Sequence, residues 1–150
     1  EAKEIFGEDA PSRARKIIKE DDVIVSTVRP NLNATALVPS ELNNQICSTG
    51  FCVLRSDGTL NPRYLYAQTR TPAFIDYLCK RMKGASYPAV ANNEVLAAKI
   101  HIPPISIQNK FAITIEKVER TKINQEQSEV EINRLFDSLM QKAFNGELVS

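Results

Sequence analysis

Glycine is scarce in this chain, and the scarcity excludes a good deal of chemistry. Five glycines occur, at positions 7, 50, 58, 84 and 146, too scattered to build a phosphate-binding loop or a dinucleotide fingerprint. Histidine occurs once, as His101 between Ile100 and Ile102. That alternation reads as a strand residue on a solvent face better than as a general base or metal ligand. The three cysteines, Cys47, Cys52 and Cys79, are an odd number without Cys-x-x-Cys spacing, so they read as buried reduced thiols. Cys47 and Cys52 fall on opposite faces of a strand unless Gly50 makes a bulge. No apolar run reaches membrane-spanning length and no signal-peptide pattern is recognisable. The expectation is a cytoplasmic chain with no membrane partner, no catalytic residues, no metal site and no cofactor.

An excess of either charge is also lacking. The net charge is +1; residues 1–104 carry 13 Lys/Arg against 11 Asp/Glu, and residues 105–150 carry 6 against 7. A non-specific nucleic-acid binder is far more basic, so any DNA contact must come from local clusters. Hydrophobic content of 43% and charged content of 25% are those of an ordinary globular protein. The chain begins at Glu1 without a Met, as a piece of a longer polypeptide or a processed chain would.

What is present begins with a long helix. No Gly or Pro interrupts Ile105 to Asn145. Phe111, Ile115, Val118, Lys122, Gln125, Glu129, Ile132, Phe136, Leu139 and Ala143 follow alternating 4- and 3-residue steps, the spacing of a coiled-coil seam. Such a helix is a rod of roughly 60 Å, too long to lie wholly against a domain of about 100 residues. Part of its apolar face must meet another helix or another copy of itself.

The preceding residues, 1–104, read as a head with its own core. Residues 1–20 are charged, with a basic burst at Arg13, Arg15, Lys16 and Lys19. Val23–Val28 predicts a central strand, ended by the turn chemistry of Arg29-Pro30-Asn31-Leu32-Asn33. Ala34–Val38 predicts a second strand. Gln45–Arg55 predicts a third, with Gly50 as a bulge or a point of close backbone approach, and Ser56-Asp57-Gly58 makes a turn. Asn61-Pro62 and Thr71-Pro72 predict two capped helices. Phe74, Leu78 and Met82 share one face of the second, and Gly84 supplies its stop. Asn92 or Asn93 caps a last short turn around Val95 and Leu96, and Lys99–Ile102 alternates like a strand. The fold class is therefore α+β: a mixed α/β head with a short twisted sheet and short helices, then one long coiled-coil-type helix. No βαβ repeat, internal repeat or low-complexity segment is present.

Asn61-Pro62-Arg63-Tyr64 is loosely similar to the Asn-Pro-Pro-Tyr signature of adenine methyltransferases. Arg63 replaces the second proline and no nucleotide fingerprint precedes it, so the helix-cap reading is preferred. Three clusters suit nucleic acid better. Ser12-Arg13-Ala14-Arg15-Lys16 carries a basic run with no acid inside it. The strand exit Ser26–Asn33 offers Arg29, Asn31 and Asn33; Arg can pair bidentately with guanine and Asn with adenine, although the asparagines also serve as plain turn residues. Lys80-Arg81-Met82-Lys83-Gly84-Ala85-Ser86-Tyr87-Pro88 joins the basic end of a helix, where cations also favour the dipole, to a small-residue loop. Lys83, Ser86 and Tyr87 are its contact candidates.

Several segments, taken in order, resemble the specificity (S) subunit of type I restriction-modification enzymes. They are Val25–Leu32, Cys47–Arg55, Gly84–Val90, Ile102-Pro103-Pro104-Ile105 with Gln108, and Phe136–Leu148. In that family a Pro-Pro-Leu-x-x-Gln element ends a target recognition domain and opens a conserved spacer helix; here Ile105-Ser106-Ile107 stands in its middle. The resemblance covers nearly the whole chain from about Pro11. It implies a non-catalytic protein that reads one half of a split double-stranded DNA target. The implied partners are methyltransferase (M) subunits that methylate adenine and restriction/translocase (R) subunits. It further implies a target recognition domain at 1–104, N-terminally incomplete, and a spacer or dimerisation helix at 105–150. A rival reading is an assembly adaptor or decayed fragment that oligomerises through its helix without reading DNA.

The seam adds one expectation of its own. Its positions pair about residue 127: 111 with 143, 115 with 139, 118 with 136, 122 with 132, 125 with 129. Two copies laid antiparallel would match apolar ends, predicting a two-fold homodimer through Phe111, Ile115, Val118, Ile132, Phe136, Leu139 and Ala143.

Overall fold

The β-branched run after Asp22 forms the middle strand of the main sheet. In this computed structural model, which describes Ile5 and residues 7–147, strands β1 (Ala14–Ile17), β2 (Val23–Ser26), β3 (Thr35–Leu37), β4 (Ile46–Ser48) and β5 (Phe51–Leu54) are followed by helices α1 (Pro62–Thr69), α2 (Pro72–Cys79), α3 (Asn92–Leu96) and α4 (Ile105–Phe144). Two compact units divide the chain, residues 1–109 and 110–150. Leu148, part of the closing segment of the family resemblance, lies outside the described residues.

The main sheet is antiparallel in the order β3-β2-β5. Along β2, Val23 and Val25 are buried while Ile24 and Ser26 are half-buried. The buried valines meet Cys52, Leu65, Phe74, Leu78, Val90 and Val95 in one core. Both proline-opened helices are capped as their sequences predict. Asn61 Oδ1 accepts from the N–H groups of Arg63 and Tyr64, and Thr71 Oγ1 accepts from that of Phe74. The sequence Asn61-Pro62-Arg63-Tyr64 is thus a helix cap.

Other local expectations are corrected. Gln45–Arg55 is two strands in two sheets: β4 pairs with β1, and β5 pairs with β2. The break falls at Thr49-Gly50, where Thr49 N–H donates to the Arg13 carbonyl and the Gly50 carbonyl accepts from Thr27. Each half therefore follows a different partner strand. Cys47 and Cys52 accordingly belong to different sheets. Space does not require glycine at 50, since a Cβ there would meet Ser48 Oγ at an ordinary 3.5 Å. The basic run near residue 15, given no element by sequence, is strand β1.

Helix α2 stops at Cys79, five residues before Gly84, and Met82 lies beyond its end, packed on the core. The N-cap of α3 is Ala91, so neither asparagine caps it; Asn93 Oδ1 accepts from the Glu94 N–H. Lys99–Ile102 has the alternation of a strand but pairs with none among the described residues. Its His101 carbonyl instead accepts from the Tyr64 hydroxyl at 3.0 Å.

One ion pair ties the main sheet together at its edge. Asp22 is 1% exposed and takes a bidentate grip from Arg55 at 2.7 and 2.6 Å, plus the Lys19 N–H at 2.7 Å. The hydrogen bond to Asp22 raises the Arg55 pKa above its ordinary value. Removing the arginine strands a buried carboxylate. Arg55→Ala is expected to cost about 2–3 kcal/mol, less than the roughly 3–5 kcal/mol of a fully buried pair because solvent screens the half-exposed guanidinium. A shift of the urea midpoint without a change in slope would register it.

Candidate nucleic-acid interface

The three polar clusters lie far apart in sequence, and backbone hydrogen bonds stitch them together in the first unit. The Arg13 carbonyl accepts from Thr49 N–H at 2.7 Å. The next residue, Gly50, accepts from both the N–H and the hydroxyl of Thr27, at 2.9 and 2.8 Å. The Thr27 carbonyl accepts from Val90 N–H at 2.8 Å, and Arg29 N–H donates to the Pro88 carbonyl at 2.8 Å. A side-chain contact adds to this chain: Arg13 Nη1 reaches the Tyr87 hydroxyl at 3.5 Å. Arg13, Arg29 and the loop bearing Tyr87 therefore share one rim.

Local chemistry fixes each part of that rim. Lys83 and Ala89 exchange both backbone hydrogen bonds at 2.9 Å, closing a hairpin whose loop is Gly84–Pro88. Gly84 has φ +100°, and a Cβ there would stand 2.8 Å from the Tyr87 carbonyl oxygen. The glycine expected to end a helix is instead what lets this loop close. Lys83, Ser86 and Tyr87 are all exposed on it.

The strand exit is a single 3-10 turn, Pro30–Leu32, bracketed by two left-handed residues. Arg29 has φ 48° and ψ 58°; Asn33 has φ 49° and ψ 41°. Asn tolerates this region, but for Arg it costs roughly 1–2 kcal/mol. Pro30 is buried, anchoring the turn, which packs on α2. Arg29, Asn31 and Leu32 are exposed.

Not every candidate side chain faces outward. Lys16 is half-buried and its ammonium donates to the Phe51 carbonyl. Arg15 is exposed, with Nε folded onto the Ser12 carbonyl at 2.6 Å. Asn33 Oδ1 is buried and has no hydrogen-bond partner. A cavity of about 10 Å³ is lined by Asn33, Ser26, Thr35 and Thr69, the size of one water. In this conformation Asn33 holds the turn and does not present its amide oxygen. Two residues that sequence reasoning left out lie beside the candidates: exposed Thr49, next to Arg13, and exposed Leu32, next to Asn31. Among the described residues, no three His, Cys, Asp or Glu side chains gather as a metal site would require.

The sequence model of the type I restriction modification DNA specificity domain matches residues 8–134. The chain belongs to this family. The crystal structure of the HsdS subunit from Thermoanaerobacter tengcongensis is similar with a TM-score of 0.77 and 40% identity, over 94% of this chain and 37% of that one. A second structure, solved for complex assembly and conformational transition of the type I R-M system, gives 0.74 and 40%, over 95% and 37%. The HindI specificity subunit of Haemophilus influenzae (strain ATCC 51907 / DSM 11121 / KW20 / Rd) is 26% identical over 125 residues, which are 78% of this chain and 27% of that protein. This specificity-domain chain thus spans between a quarter and two fifths of those relatives. Its α+β head and long C-terminal helix match the architecture of the HsdS subunits.

Proposed function

We propose that the chain reads one half of a bipartite double-stranded DNA target and catalyses nothing itself. It acts in a cytoplasmic type I complex with methyltransferase and restriction subunits. The observation that carries this reading is the meeting of Arg13, Arg29 and the Lys83–Ala89 hairpin on one rim. In this proposal residues 1–104 are the reading head. Arg29 and Asn31 read base edges, while Asn33 positions them. Arg13, Arg15, Lys83, Ser86 and Tyr87 contact phosphate or groove walls. Sequence reading needs side chains held at a fixed height above the phosphates, and a strained turn bonded to a closed hairpin supplies that rigidity.

Arg29 provides the test. Arg29→Ala is expected to cost ~1–3 kcal/mol on the cognate half-site and little on random DNA. Competition binding at fixed salt measures both; equal loss on the two would reassign Arg29 to the backbone. The exposed apolar positions of α4, among them Val118, Ile132 and Phe136 at 51%, 66% and 60%, favour a further role for residues 105–150. There we propose an antiparallel pairing of two copies, with the same helices offered to methyltransferase subunits. The assembly-adaptor reading rests on these helical positions alone, and predicts no preferred DNA sequence.

A further inference from the structure

Leu32 is 65% exposed. Exposure of one leucine is ordinary by itself; its setting is not. The Leu32 N–H donates to the Arg29 carbonyl at 2.9 Å and the Asn33 N–H to the Pro30 carbonyl at 3.0 Å. These bonds fix a one-turn helix between two non-glycine left-handed residues. Backbone strain held at such a place points to a side chain whose position matters. The Leu32 N–H to Arg29 carbonyl bond closes a four-residue turn, which holds the Cα atoms of Arg29 and Leu32 within about 7 Å. That distance is about two base-pair rises.

We propose that Leu32 determines sequence specificity by seating the C5-methyl group of a thymine in the major groove. The inference rests on the DNA-reading role proposed above. The thymine methyl is the apolar feature on the major-groove edge of a base pair, and the minor groove offers none. A rigid, solvent-facing leucine beside an arginine and an asparagine complements a site that mixes hydrogen-bonding edges with one methyl. The thymine then lies within two base pairs of the guanine that Arg29 reads.

The test starts from the half-site selected by the full chain out of random oligonucleotides, with methyltransferase subunits present. Each thymine is replaced in turn by deoxyuridine, which keeps the pairing and removes the methyl, and affinity is read by fluorescence anisotropy. One replacement should weaken binding about three- to fivefold, the worth of one methyl. It should lie within two base pairs of the position where Arg29→Ala relaxes preference. Leu32→Ala, a change at an exposed side chain, should bind the thymine and deoxyuridine sites equally. A selected half-site with no thymine, or with thymines all indifferent to deoxyuridine, overturns the assignment and leaves the DNA reading intact. So does a Leu32→Ala chain that still discriminates, or a wild-type sensitivity outside the two-base-pair window. Failure to select any half-site overturns the DNA reading itself, and this proposal with it.

Discussion

Gln108→Leu should lower the stability of the first unit by about 4 kcal/mol, although the two side chains are close in size. Gln108 is fully buried. Its Oε1 accepts from the Asn61 N–H at 2.8 Å, and its Nε2 donates to the carbonyls of Pro103 at 2.8 Å and Thr59 at 3.3 Å. Leucine would leave those three backbone groups without partners, and each such group costs about 1–3 kcal/mol. The loss is compounded locally because Asn61 caps α1 and bonds Asn109 through its own Nδ2 at 2.9 Å. One amide side chain thus ties the cap of α1 and the Pro103-Pro104 segment to the first turn of α4. With no tryptophan in the chain, urea unfolding is best followed by tyrosine near-ultraviolet circular dichroism. A loss under 1 kcal/mol would mean that water replaces the amide without difficulty.

The second large effect is expected on assembly. Phe136 and Leu139 are 60% and 45% exposed. Pairing two α4 helices about residue 127 sets Phe136 against Val118 and Leu139 against Ile115. Phe136→Glu with Leu139→Glu would place two carboxylates at each end of that seam, four in all. Breaking a seam with uncompensated buried charge costs about 3–5 kcal/mol per site, enough to dissociate the pair by more than ~1000-fold. Sedimentation equilibrium should show a dimer for the wild type at micromolar concentration and a monomer for the double variant. A wild-type chain that stays monomeric across the whole concentration range contradicts the antiparallel pairing.

These two predictions differ in how far the sequence foretold them. Helix α4 was legible because 40 residues without a breaker leave one period to read. Strand β2 and the Asn61 and Thr71 caps were legible for the same local reason. The division of Gln45–Arg55 was not, because the choice between β1 and β2 as partner is made by tertiary pairing. Lys99–Ile102 carries a strand period with no strand to receive it. Gly84 illustrates a shared signal: a positive φ ends helices and closes hairpins alike. Gln108 stands out only through its place after Pro103-Pro104 in the family resemblance; its immediate neighbours Ile107 and Asn109 are exposed, and a polar residue there carries no periodic signal of burial. The DNA-contact candidates were visible as clusters, but their meeting on one rim depends on Thr49-Gly50, a break the sequence disguised as one strand. That break links Arg13 to Thr27, whose own carbonyl accepts directly from the Val90 N–H.

Half-site reading is tested by selection from random double-stranded oligonucleotides by the full chain with methyltransferase subunits, at stated salt, because phosphate contacts alone vary steeply with it. One short motif should be enriched, bound at least about 1000-fold more tightly than random DNA. Its preference at one guanine should vanish in Arg29→Ala. Retention of DNA with no enriched motif, falling with salt equally for every sequence, would contradict it.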